Sequence, residues 1–152
     1  MMRLKLLLAI ATVAVMILSA FLLVTQNPVR DSRCKGTALC YTGTVERIVD
    51  GDTLDIGSYR IRLALVNSPE VNQTGYAEAK QFTASLCSVG SQALVDEDDG
   101  QTQGSYGRTI AVVYCGGKNL NAELLQSGHA VILTQFCSVS EFATEAWASA
   151  CR

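Results

Sequence analysis

Apolar and polar residues alternate in the first part of the folded region, and this pattern predicts three short β-strands. The strands span residues 41–49, 53–56 and 59–65. Turn residues separate them, with an Asp-Gly-Asp sequence centred on Gly51 and a Gly-Ser pair that begins at Gly57. The alternation therefore predicts two hairpin strands that lead into a third.

The third of these strands carries two arginines on one face. Successive side chains of a strand point to opposite sides, so Arg60 and Arg62 share a face. The apolar face comprises Tyr59, Ile61 and Leu63. The carboxylates that flank the strand are Asp50, Asp52 and Glu70. Carboxylates bind hard cations and guanidinium groups bind phosphate, so this combination indicates metal-assisted phosphodiester chemistry.

The rest of the chain alternates between strand patterns and helix patterns. Apolar runs predict strands over residues 92–95 and 109–115, whereas helical spacing predicts helices over residues 76–87, 120–127 and 138–150. Five short strands with helices after the third and the fifth fit a small Greek-key barrel. The predicted fold class is therefore α+β.

A run of acidic residues lies between the fourth and the fifth strand. Residues 96–99 are all Asp or Glu, and Gly100 follows them. The run does not match an EF-hand calcium loop, which needs carboxylates at alternate positions, a glycine at the sixth position and a glutamate at the twelfth. We expect a solvated turn here.

The N-terminal residues 1–25 form either a signal peptide or a membrane anchor with a hydrophobic helix. Residues 6–24 are apolar except for two hydroxyl residues, and an Arg and a Lys precede them. A span of the bilayer needs about 20 apolar residues, whereas a cleaved signal has an apolar region of about 7–15 and a small-residue cleavage site. In both cases the basic end stays on the cytoplasmic side of the membrane. We expect an extracytoplasmic protein, secreted or anchored to the cell membrane, with a linker over residues 26–40 and a domain over residues 41–152.

All six cysteines lie beyond the apolar run, and an even number of cysteines in a small exported domain indicates disulfides. The alternative is a zinc site. It is disfavoured because the chain has no Cys-x-x-Cys pair and its single histidine, His129, is not near any cysteine knuckle. For His129 we expect a structural role.

The formal net charge of the chain is −2. Removal of the basic N-terminal end would make the exported part more acidic still. Proteins that bind nucleic acid over a broad surface are usually basic. Any phosphate binding must therefore depend on a few focused arginines.

Three motifs in this order resemble the staphylococcal (micrococcal) nuclease-like domain of the thermonuclease family. They are Asp-Gly-Asp-Thr at residues 50–53, Arg-Leu-Ala-Leu-Val-Asn-Ser-Pro-Glu at residues 62–70, and Tyr-Gly-Arg at residues 106–108. The resemblance extends from about Thr44 to about Phe136. It implies a five-stranded OB-fold barrel with two to three helices.

The resemblance implies a calcium site formed by Asp52, Asn67 and Ser68. Asp52 corresponds to a calcium-binding aspartate of the family. Asn67 replaces a second one, so the site keeps an oxygen ligand but lacks one negative charge. Ser68 replaces a threonine that binds through its backbone carbonyl.

The resemblance also implies the catalytic residues. Glu70 corresponds to the proposed general base for the attacking water. Arg62 and Arg108 correspond to the two arginines that hold the scissile phosphate. Tyr106 and Phe136 are expected to contact the nucleotide, and Arg60 is expected to assist at the rim.

In the family's fold, Cys87 would end the first helix and Cys115 would end a strand beside it. The other four cysteines are near neighbours in pairs. The pairing implied is one of 15 possible connectivities, and it comprises Cys34–Cys40, Cys87–Cys115 and Cys137–Cys151.

The resemblance implies a monomeric, calcium-dependent endonuclease that acts on DNA and RNA, favours single strands and leaves 3′-phosphates. The alternative is a catalytically weakened OB-fold module that binds nucleic acid or a protein partner. Asn67 and the acidic balance favour this alternative, whereas the presence together of Glu70, Arg62 and Arg108 favours the enzyme.

Overall fold

The computed structural model describes residues 30–152. The predicted signal peptide or membrane anchor over residues 1–25 lies outside the described residues. Within residues 30–152, every helix is too short or too polar to cross a bilayer. Arg33–Arg152 form a compact unit of their own.

A closed barrel of five strands forms the centre of this unit. The described residues contain eight strands, which in chain order are β1 Cys40–Ile48, β2 Thr53–Ile56, β3 Tyr59–Leu63, β4 Val66–Asn67, β5 Gln92–Glu97, β6 Thr109–Cys115, β7 Lys118–Asn119 and β8 Val131–Ile132. The barrel consists of β1, β2, β3, β5 and β6. The sheet order is β3-β2-β1-β5-β6-β7, with antiparallel neighbours. A parallel pairing of β3 with β6, which aligns Leu63 with Ala111, closes the barrel. The predicted α+β OB-fold barrel is confirmed.

Two α-helices pack against the barrel. Helix α1 spans Tyr76–Leu86 and α2 spans Leu120–Gln126, each within one residue of its predicted end. The side chain of Asn119 caps α2 by accepting a hydrogen bond of 3.0 Å from the Ala122 amide. The described residues also contain short 3₁₀ helices over Asp99–Gln101, Thr134–Phe136, Glu141–Thr144 and Ala146–Cys151.

The apolar side chains form two buried clusters. The larger one fills the barrel and extends to both helices, with Val45, Leu54 and Ile61 completely buried. The smaller one lies on the outer face of β6, where Val112 packs with Phe142 of the C-terminal segment. Because β6 is buried on both faces, its sequence is continuously apolar rather than alternating.

The predicted third helix over residues 138–150 is wrong. Two 3₁₀ helices replace it, and Glu145 between them is extended, with ψ of 150°. The break allows both Phe142 and Ala148 to be buried, which the face of one continuous α-helix would not place together over this separation. A kink at Ala148 follows, where ψ is 33°.

The prediction of a solvated turn over the acidic run is also wrong. Strand β5 continues to Glu97, and Asp96 and Asp98 are fully buried. The Asp96 carboxylate accepts a hydrogen bond of 2.9 Å from the Lys35 amide. The Asp99 carboxylate accepts further amide hydrogen bonds from residues 37 and 38. Backbone donors therefore satisfy acids that we expected to face water.

Three disulfides join the six cysteines in the pairs that the sequence predicted, and no free cysteine remains. Cys87, directly after α1, is joined to Cys115 at the end of β6. The pairs Cys34–Cys40 and Cys137–Cys151 close short loops at the two ends of the compact unit.

Replacement of both Cys87 and Cys115 by alanine should lower the free energy of unfolding by about 3 to 4 kcal/mol, because this bridge closes the longest loop and most restricts the unfolded chain. The loop spans 28 residues, against 6 for the Cys34–Cys40 bridge. Urea unfolding, followed by circular dichroism, measures the free energy of unfolding of the double variant at each of the two bridges. An equal or larger loss from the Cys34→Ala/Cys40→Ala pair would contradict this expectation.

Candidate nuclease site

The guanidinium group of Arg62 lies at the centre of the site. One of its nitrogens, Nη1, donates to the carbonyl oxygens of Leu63 and Val66. The other, Nη2, donates to Oδ1 of Asn67 at 3.1 Å and lies 3.2 Å from a carboxylate oxygen of Asp52. Arg62 thus connects β3 to β4 and holds both beside a buried acid.

The carboxylate of Asp52 is 2% exposed. Its Oδ2 atom accepts a hydrogen bond of 2.6 Å from the Ser68 amide, and its Oδ1 atom accepts one of 3.2 Å from the Thr53 hydroxyl. Burial raises the pKa of Asp52, whereas the nearby Arg62 charge and the Ser68 hydrogen bonds lower it. The contacts with Ser68, Thr53 and Arg62 therefore fix the position of this buried carboxylate.

The Asp-Gly-Asp turn packs tightly between the loop after β4 and helix α1. A Cβ atom at Gly51 would lie 2.7 Å from the Ser68 side chain and 2.8 Å from that of Ala79. The Thr83 hydroxyl of α1 donates to the Gly51 carbonyl oxygen. Only glycine allows this approach, which places Asp52 beside the loop at residue 68.

A pocket of about 360 Å³ opens beside Arg62. Its polar residues are Arg62, Gln101, Ser105, Tyr106 and Arg108, and its apolar residues are Leu63, Leu65, Ile110, Leu133 and Phe136, with Gly104 between them. The pocket therefore combines two guanidinium groups with an apolar floor. The predicted residues Arg62, Arg108, Tyr106 and Phe136 come together in it.

A tight turn over residues 105–108 carries Tyr106 and Arg108. Ser105 and Arg108 form an antiparallel bridge, and Arg108 Nε donates to the Ser105 carbonyl oxygen at 3.1 Å. The turn holds Tyr106 in the left-handed region, with φ of 51° and the side chain 96% exposed. Its ring lies 5.8 Å from the Arg108 guanidinium. A fully exposed aromatic ring at a pocket rim is suited to stacking on a base.

The charges of several site residues act on Arg62. Burial lowers its pKa, Asp52 raises it, and the Arg108 charge lowers it. The smaller effects of Asp50 and Glu70 raise it. One like charge and three opposite charges therefore act on the Arg62 guanidinium group, a composition suited to an anionic ligand and a cation.

Glu70 lies in the exposed loop after Pro69. Its amide donates to the Gln73 side chain at 2.8 Å, which fixes the loop backbone. The Glu70 carboxylate does not line the pocket, but it lies within electrostatic range of Arg62. Its exposure leaves the carboxylate accessible to water.

Arg60 lies away from the pocket. Its Nε donates to Asp55 at 2.7 Å, and Asp55 also accepts from Arg47. Arg60 lines a separate cleft on the other side of Tyr106. The structure therefore does not place Arg60 with Arg62 and Arg108.

His129 packs against Phe82, with ring centroids 4.7 Å apart, which fits the expected structural role. In the part of the chain that the structure describes, one group of three potential metal ligands combines Cys34, Cys40 and Asp96. Both thiols of this group are in a disulfide, so the group does not support a zinc site.

The donor set around Asp52 is suited to a hard cation. It offers the carboxylate of Asp52 and the amide oxygen of Asn67, with the Ser68 backbone alongside. Oxygen donors of this kind bind Ca²⁺ and not soft metals. The residues present therefore fit an oxygen-coordinated divalent ion.

Sequence reasoning assigned no role to several residues at the site. Asp50 Oδ1 accepts a hydrogen bond of 3.1 Å from the Asp52 amide and so shapes the turn. Leu65 and Leu133 form apolar walls, and Gln101 lies just after the acidic run. The Asp-Gly-Asp sequence could have indicated Asp50. The wall residues meet only through tertiary packing.

Comparisons with known proteins agree with this geometry. The family described as staphylococcal nuclease homologue matches residues 60–148. A protein named micrococcal nuclease from Shigella flexneri is 36% identical over 103 residues, covering 59% of this chain and 57% of that protein. Endonuclease YhcR from Bacillus subtilis (strain 168) is 31% identical over 107 residues, covering 59% and 9% respectively. The chain thus spans about half of the first relative and a small part of the second.

Replacement of Arg62 by alanine should lower the free energy of unfolding by about 3 kcal/mol at neutral pH, because Asp52 would remain as a buried charge without its partner. Adding Asp52→Asn should recover part of this loss. Urea unfolding of the single and double variants measures the coupling. Additive losses from the two substitutions would show that the ion pair does not stabilise the fold as described.

Proposed function

Because the chain belongs to the staphylococcal nuclease homologue family, we propose that it is an exported, calcium-dependent endonuclease that hydrolyses phosphodiester bonds in DNA and RNA. The observation that carries the proposal is the convergence of Arg62 and Arg108 on one pocket, with the buried carboxylate of Asp52 3.2 Å from Arg62. The nuclease names of the relatives support the same class of reaction.

In the proposed reaction, the two guanidinium groups bind the scissile phosphate. Arg62 lines the pocket, and hydrogen bonds to Val66 and Asn67 hold its guanidinium group in place. Arg108 approaches from the turn over residues 105–108. Each planar guanidinium donates to phosphoryl oxygens and neutralises the negative charge that grows in the transition state.

Glu70 supplies the general base. Its carboxylate accepts a proton from water as the water oxygen attacks phosphorus in line, and the bond from phosphorus to the 5′-oxygen breaks. The leaving 5′-oxygen takes up a proton from solvent, Glu70 afterwards releases its proton to solvent, and the phosphate stays on the 3′ side. A base in this role accelerates a reaction by about 10²- to 10⁴-fold. The exposed loop position of Glu70 gives water access to it.

Asp52, Asn67 and the Ser68 backbone would hold Ca²⁺. When bound, the ion polarises a phosphoryl oxygen and offsets its negative charge. Asn67 contributes an oxygen but no charge, so we expect weak calcium affinity. Such affinity is compatible with an extracellular protein, since extracellular calcium modules work at about 10⁻⁴ to 10⁻³ M.

The pocket supports single-stranded substrates. Its apolar lining, which includes Leu65, Ile110 and Leu133, takes a nucleoside that is unstacked from its neighbours. Tyr106 at the rim offers a ring face, which every base can stack on, so little sequence preference is expected. Phe136 supplies a second aromatic wall without a hydroxyl group.

The three disulfides support an extracytoplasmic location, because such bonds persist outside the reducing cytoplasm. The apolar segment over residues 6–24 would export the domain and either leave it anchored to the membrane or be removed. The monomeric state expected from the sequence completes the proposal.

The alternative function is a binding module without turnover. It is favoured by Asn67, which removes one carboxylate from the proposed cation site, and by the net charge of −2. Such a module would still bind nucleic acid through Arg62 and Arg108. The two functions differ in their dependence on Glu70.

Replacement of Glu70 by glutamine should lower kcat for single-stranded DNA by about 10²- to 10⁴-fold at millimolar Ca²⁺, because the amide cannot accept the water proton. Thermal unfolding should stay unchanged, since the side chain is exposed. Glu78→Gln is the matched control, because Glu78 is an exposed acid of α1 outside the site.

Degradation of a labelled oligonucleotide with and without a chelator gives the rates. Equal inertness of the wild-type protein and Glu70→Gln would reject the enzyme and favour the binding module. Equal activity of the two would reject Glu70 as the base.

Replacement of Asn67 by aspartate should lower the calcium concentration at half-maximal activity by about tenfold, because calcium affinity increases with the number of charged ligands. Calcium titration of the nuclease rate measures the shift. Asn72→Asp adds the same charge on the exposed neighbouring loop, at a residue with φ of 72°, and serves as the control. An equal shift in both variants would indicate a general charge effect and not a ligand at residue 67.

A further inference from the structure

The two side walls of the pocket come from distant segments of the chain. One wall follows β5 and includes Gln101 and the turn that carries Tyr106. The other comprises Leu133 and Phe136, next to β8. Because neither wall belongs to a barrel strand, the sheet alone does not set their separation.

Asp98 binds the first wall and the segment that follows the second wall. Its Oδ2 atom accepts a hydrogen bond of 2.8 Å from Gln101 Nε2. Its Oδ1 atom accepts from the amides of Gly100 and Glu141, both at 3.1 Å. One carboxylate therefore connects the Gln101 wall to the segment that continues from the Phe136 wall.

A second side-chain hydrogen bond, here called the return contact, joins the same two segments in the opposite direction. The Glu141 carboxylate accepts a hydrogen bond of 3.0 Å from the Asp99 amide. The backbones also touch, since a Cβ atom at Gly100 would overlap the carbonyl oxygen of Val139. Ser140 joins the segment to the wall, because its amide donates to the Phe136 carbonyl oxygen at 3.0 Å.

Asp98 is itself fixed to the barrel. It is fully buried, and its amide donates to the Ile110 carbonyl oxygen of β6 at 2.9 Å. It does not line the pocket, so any effect on substrate must pass through Gln101 and Phe136. A buried carboxylate with three N–H donors and a fixed backbone is rigid.

We propose that Asp98 is a positioning residue for the proposed nuclease: it fixes the walls at Gln101 and Phe136 at the separation that accepts a nucleoside. That the ligand is a nucleoside rests on the proposed function. It assigns Asp98 and Glu141 to substrate binding and not to the bond-breaking step. The expected kinetic signature is a raised KM with little change in kcat.

Asp98→Asn tests the link to Gln101. Its amide oxygen can keep both backbone hydrogen bonds. Its nitrogen can pair with Gln101 only if the Gln101 amide turns over, and the charge-assisted hydrogen bond is lost in either case. We expect KM for single-stranded DNA to rise about tenfold, as for the loss of one charge-assisted hydrogen bond, with kcat within about twofold. Glu141→Ala removes the return contact and tests the second wall independently if Asp98→Asn does not fold.

Asp99→Asn is the matched control. The Asp99 carboxylate accepts hydrogen bonds from the amides of Thr37 and Ala38, and its side chain contacts neither wall. It should lower the midpoint of thermal unfolding without changing KM. All variants are compared below their unfolding temperatures. An equal rise of KM in Asp98→Asn and Asp99→Asn, or none in Asp98→Asn and Glu141→Ala, would overturn the proposal.

A binding measurement separates this proposal from the proposed function. The Kd of a short labelled single-stranded DNA is measured in Ca²⁺ with Glu70→Gln as background, where cleavage does not interfere. Asp98→Asn and Gln101→Ala should each raise Kd about tenfold. The double variant should raise Kd by no more than either single variant, because both substitutions remove the same contact. Additive effects would overturn the role of Asp98. Tight binding without cleavage by the wild-type protein would reject the nuclease function, and the Kd comparison would still test the role of Asp98. The absence of binding would contradict both the nuclease function and the role of Asp98.

Discussion

The ion pair between Arg62 and Asp52 is the interaction on which the site depends. Both side chains are largely buried, and their closest atoms are 3.2 Å apart. Neither charge would be stable there alone, since an unpaired buried charge costs several kcal/mol. The pair joins the turn before β2 to strand β3, and through Asn67 and Ser68 it also fixes the following loop. The Arg62 and Asp52 side chains that stabilise this part of the fold are therefore the same groups that the proposed reaction uses.

The barrel could be predicted because local signals agree there, whereas the pairing of Cys87 with Cys115 was implied by the resemblance to the family's fold. Alternation in β3 places Ile61 and Leu63 inside and leaves Arg62 on the other face. The apolar run of β6 predicts a strand covered on both faces, as Val112 and Val113 show. Motif resemblance then adds the site residues, which no periodicity indicates.

The acidic segment and the C-terminal segment could not be predicted, for one physical reason. Asp98 is buried because backbone amides from residue 141 bind it, and this contact joins residues 43 positions apart. Phe142 is buried against β6 and not along a helix face. Local propensity does not include such distant partners, so charge alone indicated solvent for the first segment and spacing alone indicated a helix for the second.

The proposed reaction requires a cation, two guanidinium groups and a carboxylate around one phosphate. A crystal structure of Glu70→Gln with Ca²⁺ and a short single-stranded DNA tests this most directly. We expect anomalous density for Ca²⁺ at about 2.3–2.6 Å from the oxygens of Asp52 and Asn67, with one phosphate between Arg62 and Arg108. Calcium bound instead to the acids at residues 96–99, or DNA bound away from Arg62, would contradict the account.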